Sequence, residues 1–253
     1  MQATETLFLE ATHRVKKVPV DPFMNLEVWE FPGQLDLCDP SFDMFHNINS
    51  LIWVIDAQAE FRESLRLLHD IITLTRSHNP NVNVEVFIHK VDAISLDYQH
   101  EIRGDIIQII ESDLEDDGQN NDRISYHFTS IYDHSIQEAL SNTIQKVIPH
   151  VATLERIIDL LCASSKIHKA FLFATSSKIF IASDSSPVDL GAFGICSDFI
   201  DFVGDISDIY GYLTLVGMMN NDSLASSKAK IDYNMEVFQH SISKIYRDRN
   251  QRT

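Results

Sequence analysis

Four short apolar runs, separated by stretches of helical length, constrain this chain more than anything else in it. Leu26 to Phe31, Ser50 to Ile55, Val84 to Ile88 and Ser125 to Phe128 read as strands. The segments between the last three carry apolar residues every three or four positions. Leu65, Leu68 and Ile72 share a face in Arg62 to Ser77, and Ile102, Ile106 and Ile110 do so in Gln99 to Leu114. Ser135 to Ile148 continues the pattern with Ile136, Leu140, Ile144 and Val147. Asp133 or Ser135 can cap that helix, and Pro149 follows its end. Strands alternating with helices need right-handed crossovers. The expectation is an α/β domain with a mainly parallel sheet and ligands at the strand carboxyl ends.

The pattern changes after Pro149. The spacing predicts a helix over 153–164 with Leu154, Ile157, Ile158 and Leu161 inward. Lys169 to Thr175 and Lys178 to Ser183 read as a hairpin turning at Ser176-Ser177. A long helix from Phe193 to Tyr210 carries Ile195, Phe199, Phe202 and Ile206. Tyr212 to Met218 reads as a strand and Tyr233 to Tyr246 as a last helix. This is an α+β module with a small antiparallel sheet. The chain therefore divides into residues 1–150 and 151–253. Most of the stripe Phe193, Phe199, Phe202 is expected in the core, with part of the long helix left for a dimer interface.

Charge narrows the partners. A net charge of −17 disfavours nucleic-acid binding through a basic patch and adhesion to anionic lipid. No apolar run reaches membrane-span length, and neither a secretory signal nor a lipidation motif is evident, so direct membrane insertion is not expected. Cys38, Cys162 and Cys196 lack CxxC spacing and read as reduced, cytosolic thiols, and the eleven histidines show no zinc spacing. Asp113 to Asp122 is an acidic stretch whose spacing does not match an EF-hand, so it reads as a solvated loop.

Three motifs stand at predicted strand ends. Val84 to Ile88 empties into His89-Lys90-Val91-Asp92. An aspartate there accepts both the N1–H and the N2–H of guanine, a pair that adenine does not offer. The lysine lays its aliphatic stem along the base. Upstream, Leu26 to Phe31 ends on Glu30 and continues into Pro32-Gly33-Gln34. An acidic residue there serves a Mg²⁺ shell, a glycine N–H faces the γ-phosphate unobstructed, and a glutamine orients water. Downstream, Ser125 to Phe128 closes on Thr129-Ser130-Ile131, small residues suited to lie beneath the base.

Glu30-Phe31-Pro32-Gly33-Gln34, Phe87-Ile88-His89-Lys90-Val91-Asp92 and Thr129 to Ser135 together resemble the Rag GTPases, C/D branch. Val54 to Gln58, Lys169 to Phe173 and Asp184 to Asp189 add to the resemblance, which covers nearly the whole chain. Histidine at position 89, where asparagine is usual, is itself a mark of that branch. The resemblance implies a P-loop-type GTPase domain followed by a roadblock-type dimerisation domain. Its cofactors are GTP/GDP and Mg²⁺. It implies guanine contacts from His89, Lys90, Asp92, Thr129, Ser130 and Ile131, a γ-phosphate contact from Gly33, and catalysis through Gln34. Glu30 and Thr12 (or Thr6) belong to the Mg²⁺ shell. It further implies a heterodimer with an A/B-branch Rag GTPase through residues 151–253, and GTPase-activating proteins as regulators. The assembly is recruited from the cytoplasm to the vacuole or lysosome surface by a Ragulator- or EGO-type scaffold. There it reports amino-acid status to the target-of-rapamycin kinase complex.

Two departures accompany the resemblance. A phosphate-binding loop needs G-x-x-x-x-G-K-[ST], and none of the eight glycines is followed by lysine, so the first strand and P-loop of the fold are missing from these residues. Near Gly211-Tyr212 the family carries additional residues. Glu30 also replaces the commoner aspartate. A nucleotide-independent scaffold that keeps the GTPase shape is the alternative function. An unrelated α/β enzyme is disfavoured, because neither a nucleophile-base pair nor a metal cluster stands out.

Overall fold

The computed structural model describes residues 11–21, 26–33, 48–175, 177–188, 190–203, 208–209, 213–219 and 221–250. The chain forms two compact units, with the change of unit between Val147 and Ile148.

In the first unit, strands β1 (Lys16–Asp21) and β2 (Leu26–Glu30) pair with each other. A second sheet contains β3 (Ser50–Asp56), β4 (Asn83–His89) and β5 (Ile124–Thr129) in that order, all parallel. Helices α1 (Arg62–His78) and α2 (Leu96–Asp116) make the crossovers, and α3 (Ser135–Val147) follows β5. The core explains why β4 is the centre. Its alternate residues Val84, Val86 and Ile88 join Leu65, Leu68 and Ile72 of α1 and Ile102, Ile106 and Ile110 of α2 in one buried cluster. On the opposite face, Glu85 is completely buried. Its carboxylate meets Lys146 Nζ at 2.7 Å and His127 Nε2 at 2.8 Å, and Phe87 stands edge-on to the His127 ring. A carboxylate without these partners in such a place would cost several kcal/mol, roughly.

The second unit begins with α4 (Val151–Ser165). Strands β6 (Lys169–Ala174), β7 (Ile179–Ser183), β8 (Asp208–Ile209) and β9 (Leu213–Met218) form an antiparallel sheet in the order β7-β6-β9-β8. Helices α5 (Leu190–Val203) and α6 (Asn221–Asn250) complete it. Phe171, Phe173, Phe180 and Phe193 pack edge-on, tilted or stacked in its core. Lys169 is buried, donates to the Ser186 carbonyl at 2.7 Å and pairs with Asp184 Oδ1 at 3.2 Å. Burial pushes the Asp184 carboxyl up, but Ser186, the Ala170 amide and Lys169 outweigh it and hold it below the ordinary range.

Several elements differ from the sequence reading. Strand β1 was not expected, because Lys16-Lys17-Val18-Pro19 shows no strand alternation; its pairing with β2 supplies what the pattern lacks. Helix α2 starts three residues early, where the Ser95 side chain accepts from the Tyr98 N–H. The acidic stretch from Asp113 is half helix, closed by Gly118 in the left-handed region (φ 65°), not a loop throughout. Helix α5 is Leu190–Val203, and Asp208–Ile209, expected inside that helix, pairs with β9 instead, while Ile206 and Tyr210 lie outside the described residues. Helix α6 begins at Asn221, twelve residues before the apolar spacing becomes legible at Tyr233. In α3 the most buried positions are Ala139, Ser141 and Thr143, and the stripe of Ile136, Leu140, Ile144 and Val147 is half-buried. The Ser141 and Thr143 hydroxyls donate to carbonyls four residues back, so both can be buried with partners from their own helix.

Candidate functional site

The parallel register brings three strand ends side by side. Asp56 lies opposite His89, and His89 lies opposite Thr129. Beyond β4 the chain turns through Lys90, which adopts the left-handed conformation (φ 63°, ψ 36°), into a short 3₁₀ turn at Val91–Ala93. That conformation is strained for a side chain with a Cβ, and such strain persists only where neighbours hold it. Gln99 Nε2 pins the turn from α2 by donating to the Val91 carbonyl at 2.9 Å and the Ile94 carbonyl at 3.2 Å.

Each member of the His89-Lys90-Val91-Asp92 motif that faces the site has a specific brace. Ser130 Oγ donates to Asp92 Oδ1 at 2.6 Å and accepts the Tyr132 N–H at 3.1 Å, while Ser130 N–H donates to Ser135 Oγ at 2.8 Å. Asp92 itself is exposed. An oriented, exposed carboxylate at the mouth of two parallel strands suits a ligand presenting two adjacent N–H groups. The buried Thr129 hydroxyl lies 2.9 Å from His89 Nδ1, so the two side chains share a hydrogen bond, and 3.5 Å from the Ile88 carbonyl. Burial first, and then the Lys90 charge, lower the His89 pKa against the opposing pull of Asp92, Asp56 and Asp133. The ring is therefore neutral at pH 7. Lys90 Nζ pairs with Asp56 Oδ2 at 2.5 Å. Ile131 is exposed, so its side chain is not part of the core.

The second group of expected residues lies at the end of β2. Thr12 Oγ1 donates to Glu30 Oε1, so the structure brings these two residues together. They supply two hard oxygen donors, which suits Mg²⁺ completed by water and phosphate oxygens. Among the described residues no group of three or more His, Cys, Asp or Glu could hold a metal by itself. Phe31 packs on Ile71 alongside Leu51 and Trp53, which anchors the chain just before Pro32-Gly33. A Cβ at Gly33 would meet nothing within 4 Å. Gln34 lies outside the described residues, as do Thr6, Cys38 and Gly211-Tyr212. Burial pushes the Cys162 thiol up to about 12, with Asp184 and Asp159 adding to it, and the Cys196 thiol up to about 11, so neither is a nucleophile at neutral pH.

Sequence reading missed the roles of Asp56, Gln58 and Ser135. The signal for Asp56 was present: an acidic residue at the end of the strand preceding a basic motif, one register partner away. It becomes legible only once β3 is known to pair with β4.

The family model for the Gtr1/RagA G protein conserved region matches residues 1–200. The chain is 46% identical over 214 residues to the GTP-binding protein gtr2 of Schizosaccharomyces pombe, covering 83% of this chain and 68% of that protein. It is 39% identical over 284 residues to the human Ras-related GTP-binding protein C, covering 97% of this chain and 71% of that protein. It is 41% identical over 213 residues to the GTP-binding protein GTR2 of Saccharomyces cerevisiae, covering 83% and 62% respectively. The parallel sheet, the motif order at its strand ends and these similarities agree: the chain belongs to the Gtr/Rag family of G proteins, on its C/D, Gtr2-type branch.

Proposed function

We propose that this chain is the guanine-nucleotide-binding subunit of a heterodimeric Rag-type GTPase that hydrolyses GTP to GDP and phosphate. One observation carries the reading: Asp92, His89 and Lys90 are each braced by a residue from a neighbouring strand end, Ser130, Thr129 and Asp56. Asp92 accepts the two guanine N–H groups, Lys90 covers the base, and Thr129-Ser130-Ile131 lie beneath it. Thr12 and Glu30 attend Mg²⁺, which neutralises phosphate charge when bound. Gly33 opens its N–H to the γ-phosphate, and Gln34 orients the attacking water.

The second unit is a roadblock-type domain that pairs with an A/B-branch Rag partner. Ile195 and Phe199 support this: they are one helical turn apart on α5 and more than half exposed, at 63% and 52%, while Phe193 and Cys196 of the same helix are buried. The heterodimer is held at the vacuole or lysosome by a Ragulator- or EGO-type scaffold, responds to GTPase-activating proteins, and signals amino-acid sufficiency to the target-of-rapamycin kinase complex. No described helix is long and apolar enough to cross a membrane.

The test is Asp92→Asn in the assembled heterodimer. Xanthine carries a carbonyl where guanine carries an amino group, so the amide variant should shift preference from GTP to XTP by a factor of about ten or more. An unchanged preference would remove Asp92 from base recognition. The second reading is a nucleotide-independent scaffold that keeps the GTPase shape. It predicts that the XTP experiment finds no nucleotide affinity to shift.

A further inference from the structure

We propose that Asp56 and Gln58 act as positioning residues that hold Lys90 from both ends and thereby set how long a guanine nucleotide stays bound. The inference rests on the base-recognition reading above and assigns a task to two residues that reading does not use.

The strand-end segment Asp56-Ala57-Gln58 grips the turn after β4 through a set of linked bonds. Ala57 N–H donates to the His89 carbonyl at 2.9 Å, which extends the β3–β4 ladder one residue past the strand. Gln58 Nε2 donates to the Lys90 carbonyl at 3.0 Å. Asp56 Oδ2 takes the Lys90 ammonium at 2.5 Å. Asp56 Oδ1 accepts the Gln58 N–H at 2.9 Å, which fixes the carboxylate relative to the amide that holds the backbone. Lys90 is thus held at its main chain by one residue and at its side chain by another. Those two residues are joined to each other.

This arrangement addresses two costs at once. Lys90 has a left-handed backbone, which a non-glycine residue does not keep unaided. It also has a long, flexible side chain, whose freedom must be surrendered before the stem can lie along a base. The carboxylate surrenders it in advance. Burial raises the Asp56 pKa, but the Lys90 bond and the Gln58 amide outweigh it and keep the carboxyl ionised at neutral pH. The Lys90 and Asp56 side chains are 54% and 35% exposed, so the pair is salt-sensitive and worth a factor of about five rather than hundreds.

The experiment measures dissociation of fluorescent GDP from the assembled heterodimer. Asp56→Asn keeps an oxygen for the Gln58 amide and removes only the charge. It should speed dissociation roughly fivefold at low salt. Raising salt should accelerate the wild type toward the variant and leave the variant nearly unchanged. In a Lys90→Ala background, Asp56→Asn should have no further effect, because the residue it acts through is gone. Base preference between GTP and XTP should stay with guanine in every variant, because Asp92 sets it. Multiplicative effects of the two substitutions, or a salt response that survives Asp56→Asn, would overturn the clamp and leave the GTPase reading intact. A wild-type heterodimer that retains no GDP would overturn both.

Discussion

His89 shows how one side chain can couple the turn after β4 to pH. Its ring is held neutral by burial and the Lys90 charge, and it shares a hydrogen bond with Thr129. The sign follows directly. The folded pKa lies below the unfolded value of about 6.5, so the folded state binds fewer protons. The stability this histidine contributes is complete above about pH 6.5 and is lost as pH falls through 6.5 toward the folded pKa. His89→Asn removes the titration. Urea unfolding of the wild type and the variant between about pH 7.5 and 5 should show the wild type losing ground steadily as the pH falls. Parallel curves would show that His89 does not titrate differently in the folded state. The place of the motif at the end of β4 was legible in sequence, since the apolar run from Val84 to Ile88 ends there. Its braces were not: Thr129 and Asp56 become partners of His89 and Lys90 only through strand register, and Asp56 is 34 residues from Lys90.

The elements were legible where burial imposes a period. Helices α1 and α2 and strands β3 to β5 follow the apolar pattern because both faces of β4 are covered. They were illegible where pairing or propensity alone decides, as in β1 and the first turns of α6. Turn chemistry also escaped, and it offers a sharp test. The exposed Lys166 ends α4 with a left-handed backbone (φ 58°) and donates its N–H to the Cys162 carbonyl. Glycine adopts that conformation without a Cβ penalty. Lys166→Gly also loses the attraction of a cation to a helix carboxyl end, a few tenths of a kcal/mol on a solvated surface. Relief of backbone strain outweighs that loss. The variant should gain about 0.5–1 kcal/mol, read as a higher urea midpoint with an unchanged slope. A lower midpoint would mean that Lys166 makes a contact worth more than its strain.

For the whole molecule, the proposed function divides the labour between the two units. The first carries the motifs proposed to bind nucleotide, and the second has its own aromatic core. Residues 151–253, co-expressed with the matching half of an A/B-branch partner, should form a heterodimer by sedimentation without nucleotide. Phe199→Asp or Ile195→Asp places a charge on the exposed face of α5 and should weaken pairing by a factor of about ten or more. If the fragment stays monomeric and the first unit captures the partner instead, the division is wrong.

The buried Glu85 has a consequence for how the first unit assembles. Its two side-chain partners arrive on different elements, His127 on β5 and Lys146 on α3, the latter 61 residues away in sequence. A sheet one residue out of register, or capped by any other helix, strands a bare carboxylate among hydrocarbon. That error costs more than most of the apolar contacts the wrong arrangement could keep. The carboxylate thus acts as a proofreader of topology: it makes near-misses unstable without making the right answer much more stable. Sheet and helix then have no comfortable halfway state, and the amides of β4 and α3 should exchange with deuterium in a single opening event.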